Sequence, residues 1–220
     1  MTLLSRDGDR APYNRTFIRW TAAALICGGA LTVLINATLS PFLPEGVPFS
    51  VTAMSSVFFW RQAASALAAA LLLFGSVGLY LRQADRAGRA GAAAFAAAFI
   101  GSALLLGNEW SQVFDVRDLA MRMPAALNLP PPMHGFGLSD LGALIVLSVF
   151  TLGWIALAAV TARLAILSRG AAIMLIAGSF AIPLSSVVLH PRWGAVLGNA
   201  ILGSGLCWLG YSLLGNSQHG

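Results

Sequence analysis

The sequence predicts an all-α integral membrane protein, a bundle of six transmembrane helices. Apolar stretches of roughly bilayer-spanning length fill nearly all of the 220 residues, and 58% of the residues are hydrophobic. A helix needs roughly 20 apolar residues to cross a hydrocarbon core about 30 Å thick. Charged residues make up only 10% of the chain, whereas soluble domains average about 25%. No Asp, Glu, Lys or His lies near the middle of any apolar stretch, which is where an ionisable group would be most costly.

Short connections are expected between all consecutive helices except the third and the fourth. A proline-rich stretch at 40–50 ends the first helix, because proline lacks an amide donor and has a fixed φ. An arginine-rich turn at 82–89 separates the second helix from the third. Asp140 opens the fourth helix near the positive end of its dipole, and Pro183 kinks the fifth. The expected helices are 17–39, 55–81, 90–110, 139–167, 171–189 and 193–214, forming one transmembrane domain (17–214) between a cytoplasmic segment (1–16) and a polar tail (215–220).

The one long connection is expected between the third and fourth helices, at 111–138, on the extracytoplasmic side. Three consecutive prolines at 130–132 and two nearby glycines favour a loop there. Within this connection, the apolar spacing over 113–123 is typical of a short amphipathic helix that lies along the membrane interface.

The arginines predict the orientation of the bundle. Of the 13 arginines, all but Arg61, Arg117, Arg122 and Arg192 fall on the side that carries the N-terminus. Short cytoplasmic loops carry the excess of basic residues in membrane proteins. Both termini are therefore expected in the cytoplasm of a cell whose bacterial-type inner membrane holds this multi-pass chain. The same bias accounts for the net charge of +5, so no nucleic acid is expected as a partner.

The inventory of reactive side chains argues against an enzyme. The chain has no lysine, which excludes a lysine Schiff base. Its histidines (134, 190 and 219) lie outside the expected helices, so none can ligate a haem within the bundle. Cys27 and Cys207 are isolated in apolar stretches and are expected to behave as small hydrophobic residues. We therefore predict no catalytic residue, no metal and no cofactor, although a bound lipid or pigment is compatible with the sequence.

Polar residues that could contact a ligand or partner gather at the outer ends of the helices. Arg61 and Glu109 are expected at similar depth on consecutive helices. As a pair they would form either a structural clamp or the floor of a pocket that opens outward. The full candidate set is Arg61, Asn108, Glu109, Trp110, Asp140 and Asn199.

Small residues at helical spacing form two stripes, on the third and sixth expected helices. Such stripes let helix backbones approach closely, which matters where lipid removes the hydrophobic driving force for association. They serve packing within the bundle or docking of another membrane subunit. The residues are Ala94, Ala98 and Gly101 on one helix, and Gly194, Gly198 and Gly203 on the other.

Three classes of function remain after these observations. The sequence favours a non-catalytic accessory or interaction subunit of a larger membrane complex, whose partners would be other integral membrane proteins and lipids. The alternative is a small carrier or binder of a lipophilic or anionic ligand that uses Arg61 and Glu109 at the outer face. A membrane enzyme is the least favoured class, because no buried acid, base or nucleophile is available to it.

Overall fold

The structure, a computed structural model, describes residues 13–128, 137–188 and 191–216. The N-terminal twelve residues, the triple proline and all three histidines lie outside these ranges. Within them 92% of the residues are helical and no strand occurs. The α-helices are α1 (Tyr13–Leu34), α2 (Phe49–Met54), α3 (Ser56–Arg122), α4 (Pro124–Leu127), α5 (Leu138–Leu164), α6 (Arg169–Val188) and α7 (Pro191–Asn216).

Helix α1 continues beyond its regular part through two irregular turns. A π-helical segment, Ile35–Leu39, is followed by a 3₁₀ turn, Ser40–Phe42. The proline at position 41 occupies this last turn, where its missing amide costs nothing. The helix thus ends where the sequence predicts, but with a local widening of the backbone, a feature frequent at functional sites.

The longest element, α3, contains both the second and the third expected helix, and the break between them at Gly88 lies within the expected turn at 82–89. The two differences from the sequence-based expectation are that helical geometry continues through most of that turn and that the second of these helices runs past its expected end at 110 to Arg122. The alanines and arginines around the turn are strong helix formers, so the break is confined to Gly88. This glycine has φ 57° and ψ −156°, a combination open essentially to glycine alone. We call residues 56–87 the first arm of α3 and residues 89–122 the second arm.

The two arms fold back on each other as an antiparallel hairpin. Tyr80 stacks on Phe95, with ring centroids 4.5 Å apart. Farther from the bend, the guanidinium of Arg117 lies over the ring of Phe59 at 5.3 Å. Both pairs are nearly symmetrical about Gly88, so residues far apart in sequence face each other along the whole length of the arms.

Among the described residues, four helices are long and apolar enough to cross a membrane, and α6 supplies a shorter apolar stretch. The four are Arg15–Phe42, Ser56–Arg122, Asp140–Leu164 and Trp193–Gly215, and the shorter stretch is Arg169–Leu184. At about 1.5 Å per residue, α3 is about 100 Å long in total, which is far more than one crossing requires. The structure therefore supports a membrane bundle of several long apolar helices.

The helices form a closed ring in which backbones meet at glycines. Helix α1 packs on α3 and α7, α7 on α6, α6 on α5, and α5 returns to α3. A Cβ atom placed on Gly29 of α1 would lie 2.6 Å from the carbonyl oxygen of Gly203 in α7. Such close approach increases van der Waals contact where no hydrophobic driving force acts.

The connection between the third and fourth expected helices is more helical than the sequence predicts. Residues 113–122 are helical, as expected, but they continue α3 instead of forming a separate interfacial helix. Helix α4 follows, and its C-cap residue Asn128 binds back to α2: its Oδ1 accepts from the Ser50 amide at 3.0 Å and its Nδ2 donates to the Ser50 hydroxyl at 2.8 Å. These bonds join the connection that precedes α3 to the connection that follows it.

Candidate functional site: an amphipathic cavity

A cavity of about 550 Å³ lies inside the ring of helices. Helices α1, α3, α5, α6 and α7 all contribute to its wall, and both arms of α3 take part. Ligand pockets in proteins typically measure about 300–1,000 Å³. The cavity is therefore large enough to hold a small organic molecule or one chain of a lipid.

The wall of the cavity changes from charged to apolar along the first arm of α3. Arg61, Ser65, Ala68 and Leu72 line it in that order, at spacings that keep them on one helix face. Arg61 and Leu72 are 11 positions apart, which corresponds to about 16 Å at 1.5 Å per residue. The cavity is thus amphipathic along its length.

A chain of hydrogen bonds positions Arg61 at the charged end. Arg61 Nε donates to the Ser40 hydroxyl at 3.0 Å, and that hydroxyl in turn donates to Asn36 Oδ1 at 3.3 Å. Arg61 Nη1 donates to Gln62 Oε1. Asn36 belongs to the π-helical segment and Ser40 to the 3₁₀ turn, so the irregular end of α1 orients the guanidinium. These bonds use Nε and Nη1 and leave the two N–H groups of Nη2 for a ligand.

Glu109, on the second arm, lines the same end of the cavity. Its Oε2 is buried and has no hydrogen-bond donor among the described residues. The expected Arg61–Glu109 ion pair is not formed in direct contact: no N···O distance between these two described side chains is within 4.0 Å. The opposite charges still interact electrostatically across the gap. An arginine and a carboxylate thus share one cavity while neither neutralises the other by contact.

The other predicted contact residues divide into two groups. Asn199 lines the cavity, where its Nδ2 donates to the Ala195 carbonyl at 2.8 Å and its Oδ1 remains available. Asn108 does not line the cavity. Trp110 is 60% exposed on the outside of the bundle, and Asp140 accepts a hydrogen bond from the Gly137 amide at 3.0 Å in a capping role.

The small-residue stripes lie in contacts between helices of this chain. Gly198 meets the backbone of Ile182 in α6, Gly203 meets Gly29, and Gly101 meets the backbone of Phe150 in α5. The remaining three stripe residues are buried: Ala94, Ala98 and Gly194. These faces therefore position the cavity wall and are not presented to the lipid.

Sequence reasoning missed the hydroxyl groups that line the middle of the cavity. Thr32, Ser148, Thr151 and Ser179 belong to the wall. Thr32 and Ser179 also donate to carbonyls of their own helices, those of Gly28 and Leu175, so nothing in a single apolar stretch marks which hydroxyl groups face a cavity. Pro183 was a usable signal. It has no amide to donate to the carbonyl of Ser179, and both residues lie in the wall.

No group of three or more His, Cys, Asp or Glu side chains with a metal-binding arrangement occurs among residues 13–128, 137–188 and 191–216. No protein-family model matches the chain, and comparisons with curated proteins and with solved structures find no match either.

Proposed function

We propose that this chain is a six-span membrane protein that binds an amphipathic ligand in its central cavity, with an anionic group of the ligand at Arg61 and an apolar chain directed toward Leu72. The observation that carries the proposal is the cavity itself, which joins a partly unsatisfied guanidinium to an apolar interior. The proposal assigns no catalytic step, and a bound lipid is the kind of occupant it implies.

The lengths of the two α3 arms support six crossings. Trp60 and Arg82 are 22 positions apart on the first arm, about 33 Å, and Arg89 and Trp110 are 21 positions apart on the second, about 32 Å. Both distances match a hydrocarbon core of about 30 Å. Trp60 and Trp110 are 63% and 60% exposed, as expected of tryptophans in an interfacial belt.

This frame, with both termini in the cytoplasm of a bacterial-type cell, follows from the arginine bias. It places Arg61 and Glu109, each next to one of these tryptophans, at the outer edge of the membrane. From there the cavity extends inward. A ligand with a polar head and an apolar chain would then lie in the orientation of a lipid of the outer leaflet.

The proposal predicts which variants lose binding of pyrenedodecanoic acid, measured by pyrene fluorescence on protein in a neutral detergent. Charge-assisted hydrogen bonds contribute about 1.5–3 kcal/mol, so Arg61→Gln should weaken binding at least about tenfold. Pyrenedodecanol, which lacks the charge, should be affected little. Ser65→Phe should block the cavity and abolish binding of both probes.

Arg122→Gln is the matched control, because Arg122 is a second outer arginine on α3 that is exposed and, within the described part of the chain, pairs with Asp118 alone. It should bind both probes as the wild type does. If Ser65→Phe binds them normally while remaining folded by circular dichroism, the cavity is not the binding site and the proposal is wrong.

The second candidate is the accessory subunit of a larger membrane complex. One observation favours it: the second arm of α3 presents exposed small residues on its outer face, including Ala93, Ala96, Ala103 and Gly107. A Cβ atom on Gly107 would meet nothing within 4 Å, so a partner helix has room to approach there. Purification in mild detergent should then yield a stoichiometric partner protein that Ala96→Phe removes, whereas a ligand binder would purify without one.

A further inference from the structure

Resting on the proposed function, we infer that the ligand is a zwitterionic lipid whose head group carries a primary ammonium beside its anionic group. The anionic group binds Arg61, and the ammonium binds Glu109. The inference depends on one observation at the charged end of the cavity: among the described residues, no hydrogen-bond donor reaches the buried Oε2 of Glu109.

Glu109 is the group that a purely anionic ligand would leave unsatisfied. Its Oε2 is buried and accepts no hydrogen bond from any described residue. A buried carboxylate without a donor is strongly unfavourable, and an anion bound at Arg61 would bring a second negative charge close to it. A ligand that supplies both an anion and an N–H donor removes both penalties at once.

The open groups at this end of the cavity match such a head group. Arg61 offers the N–H groups of Nη2, and Glu109 offers an acceptor oxygen, Oε2, that has no donor among the described residues. Asn199 Oδ1 is a further acceptor in the cavity wall. Arg61 and Glu109 both line the cavity without direct ion-pair contact, so neither charge is already occupied by the other and each can bind the opposite charge of one ligand. Directed donors and acceptors favour a primary ammonium over a quaternary one, because only the former has N–H groups.

The apolar part of the cavity favours a lipid over a free zwitterion. Leu72, Phe150 and Leu202 line it away from the charged end. Each methylene buried there adds about 0.8 kcal/mol of transfer free energy, or about fourfold in affinity. A water-soluble head group alone would leave this surface without an occupant.

Competition against pyrenedodecanoic acid tests the inference with single-chain phospholipids that share a dodecanoyl chain. Lysophosphatidylethanolamine should displace the probe at a concentration at least about tenfold lower than lysophosphatidylglycerol, which has no cation. Lysophosphatidylcholine, whose ammonium has no N–H, should also be weaker. Free O-phosphoethanolamine should compete at far higher concentrations than the lipid, and equal competition would overturn the assignment to a lipid.

Glu109→Gln should change the binding affinities of two ligands in opposite directions. It should weaken lysophosphatidylethanolamine about tenfold or more and strengthen pyrenedodecanoic acid, because the amide no longer repels an anion. A merely structural role for Glu109 would move both affinities in the same direction. Asp118→Asn, which removes an exposed carboxylate of the same helix, should change neither.

The possible failures are distinguishable. If pyrenedodecanoic acid binds at Arg61 but lysophosphatidylglycerol competes as well as lysophosphatidylethanolamine, the zwitterion inference is wrong and the proposed function stands. If no probe or lipid binds, the proposed function itself fails.

Discussion

The contact between Gly29 and Gly203 leads to the most quantitative prediction. A methyl group added by Gly29→Ala would lie 2.6 Å from the Gly203 carbonyl oxygen and 2.9 Å from the Cys207 amide nitrogen. Ordinary van der Waals contact begins at 3.4 Å. Both obstacles are backbone atoms, so no side-chain rotation can relieve the overlap. Helices α1 and α7 must move apart by a substantial fraction of an ångström.

The expected cost follows from two opposing terms. Overpacking of a close contact costs about 1–3 kcal/mol. Alanine is better than glycine in a helix interior by about 0.5–1 kcal/mol. Gly29→Ala should therefore lower the free energy of unfolding by about 1 kcal/mol. Gly107→Ala is the matched control, because nothing lies within 4 Å of its added methyl group. Its free energy of unfolding should rise by the helix preference of alanine over glycine alone, about 0.5–1 kcal/mol.

Denaturant unfolding in a neutral detergent, followed by tryptophan fluorescence, measures both variants under one condition. The difference between them isolates the overpacking term, about 1–3 kcal/mol. Equal stability of the two variants would refute the close approach of α1 and α7. Gly203→Ala adds a methyl group to the same contact from the α7 side. Because Gly29→Ala has already moved the two helices apart, the double variant should lose less free energy of unfolding than the sum of the two single variants.

Three further predictions concern the backbone and a buried polar pair. Ala165 has φ 51° after the end of α5, so Ala165→Gly should raise the free energy of unfolding by about 0.5–1 kcal/mol, as measured by denaturant unfolding. Gly88→Ala should lower it by about 1–3 kcal/mol through backbone strain alone, since an added Cβ meets nothing within 4 Å; unchanged stability would place the bend elsewhere. Gln83 Nε2 donates to Thr161 Oγ1 at 3.1 Å between α3 and α5, and a double-mutant cycle of Gln83→Leu with Thr161→Val should give a coupling near 0.6 kcal/mol; zero coupling would contradict the bond.

Much of the local structure was predictable, because a bilayer constrains each helix separately. Apolar length, prolines and arginine placement depend on neighbouring residues only. They place α1, α5 and α7 within a few residues of their observed bounds. The bend in α3 was not predictable to the residue. The arginine-rich turn has high helix propensity, and only the folded chain shows that Gly88 alone absorbs the reversal.

The candidate site was predictable as a set of residues but not as an arrangement. Arg61, Glu109 and Asn199 were identified from their depth along the chain, and depth is what hydropathy and tryptophan positions measure. Their convergence on one cavity depends on how each helix is rotated about its own axis. That rotation is determined by contacts between helices, such as Gly29 with Gly203, which no single apolar stretch encodes.

Sequence alone therefore showed that this chain forms long apolar helices, and it predicted their orientation from the arginines and the polar groups at their ends. Packing decided that only Arg61, Glu109 and Asn199 of the predicted contact residues line a cavity. It also decided that Arg61 is held by Ser40 instead of by Glu109, and that Glu109 Oε2 is left without a donor among the described residues. The physical reason is that the two depend on interactions of different range along the chain. The preference of a residue for lipid depends on that residue and its neighbours in sequence. A cavity depends on contacts between helices that are far apart in sequence.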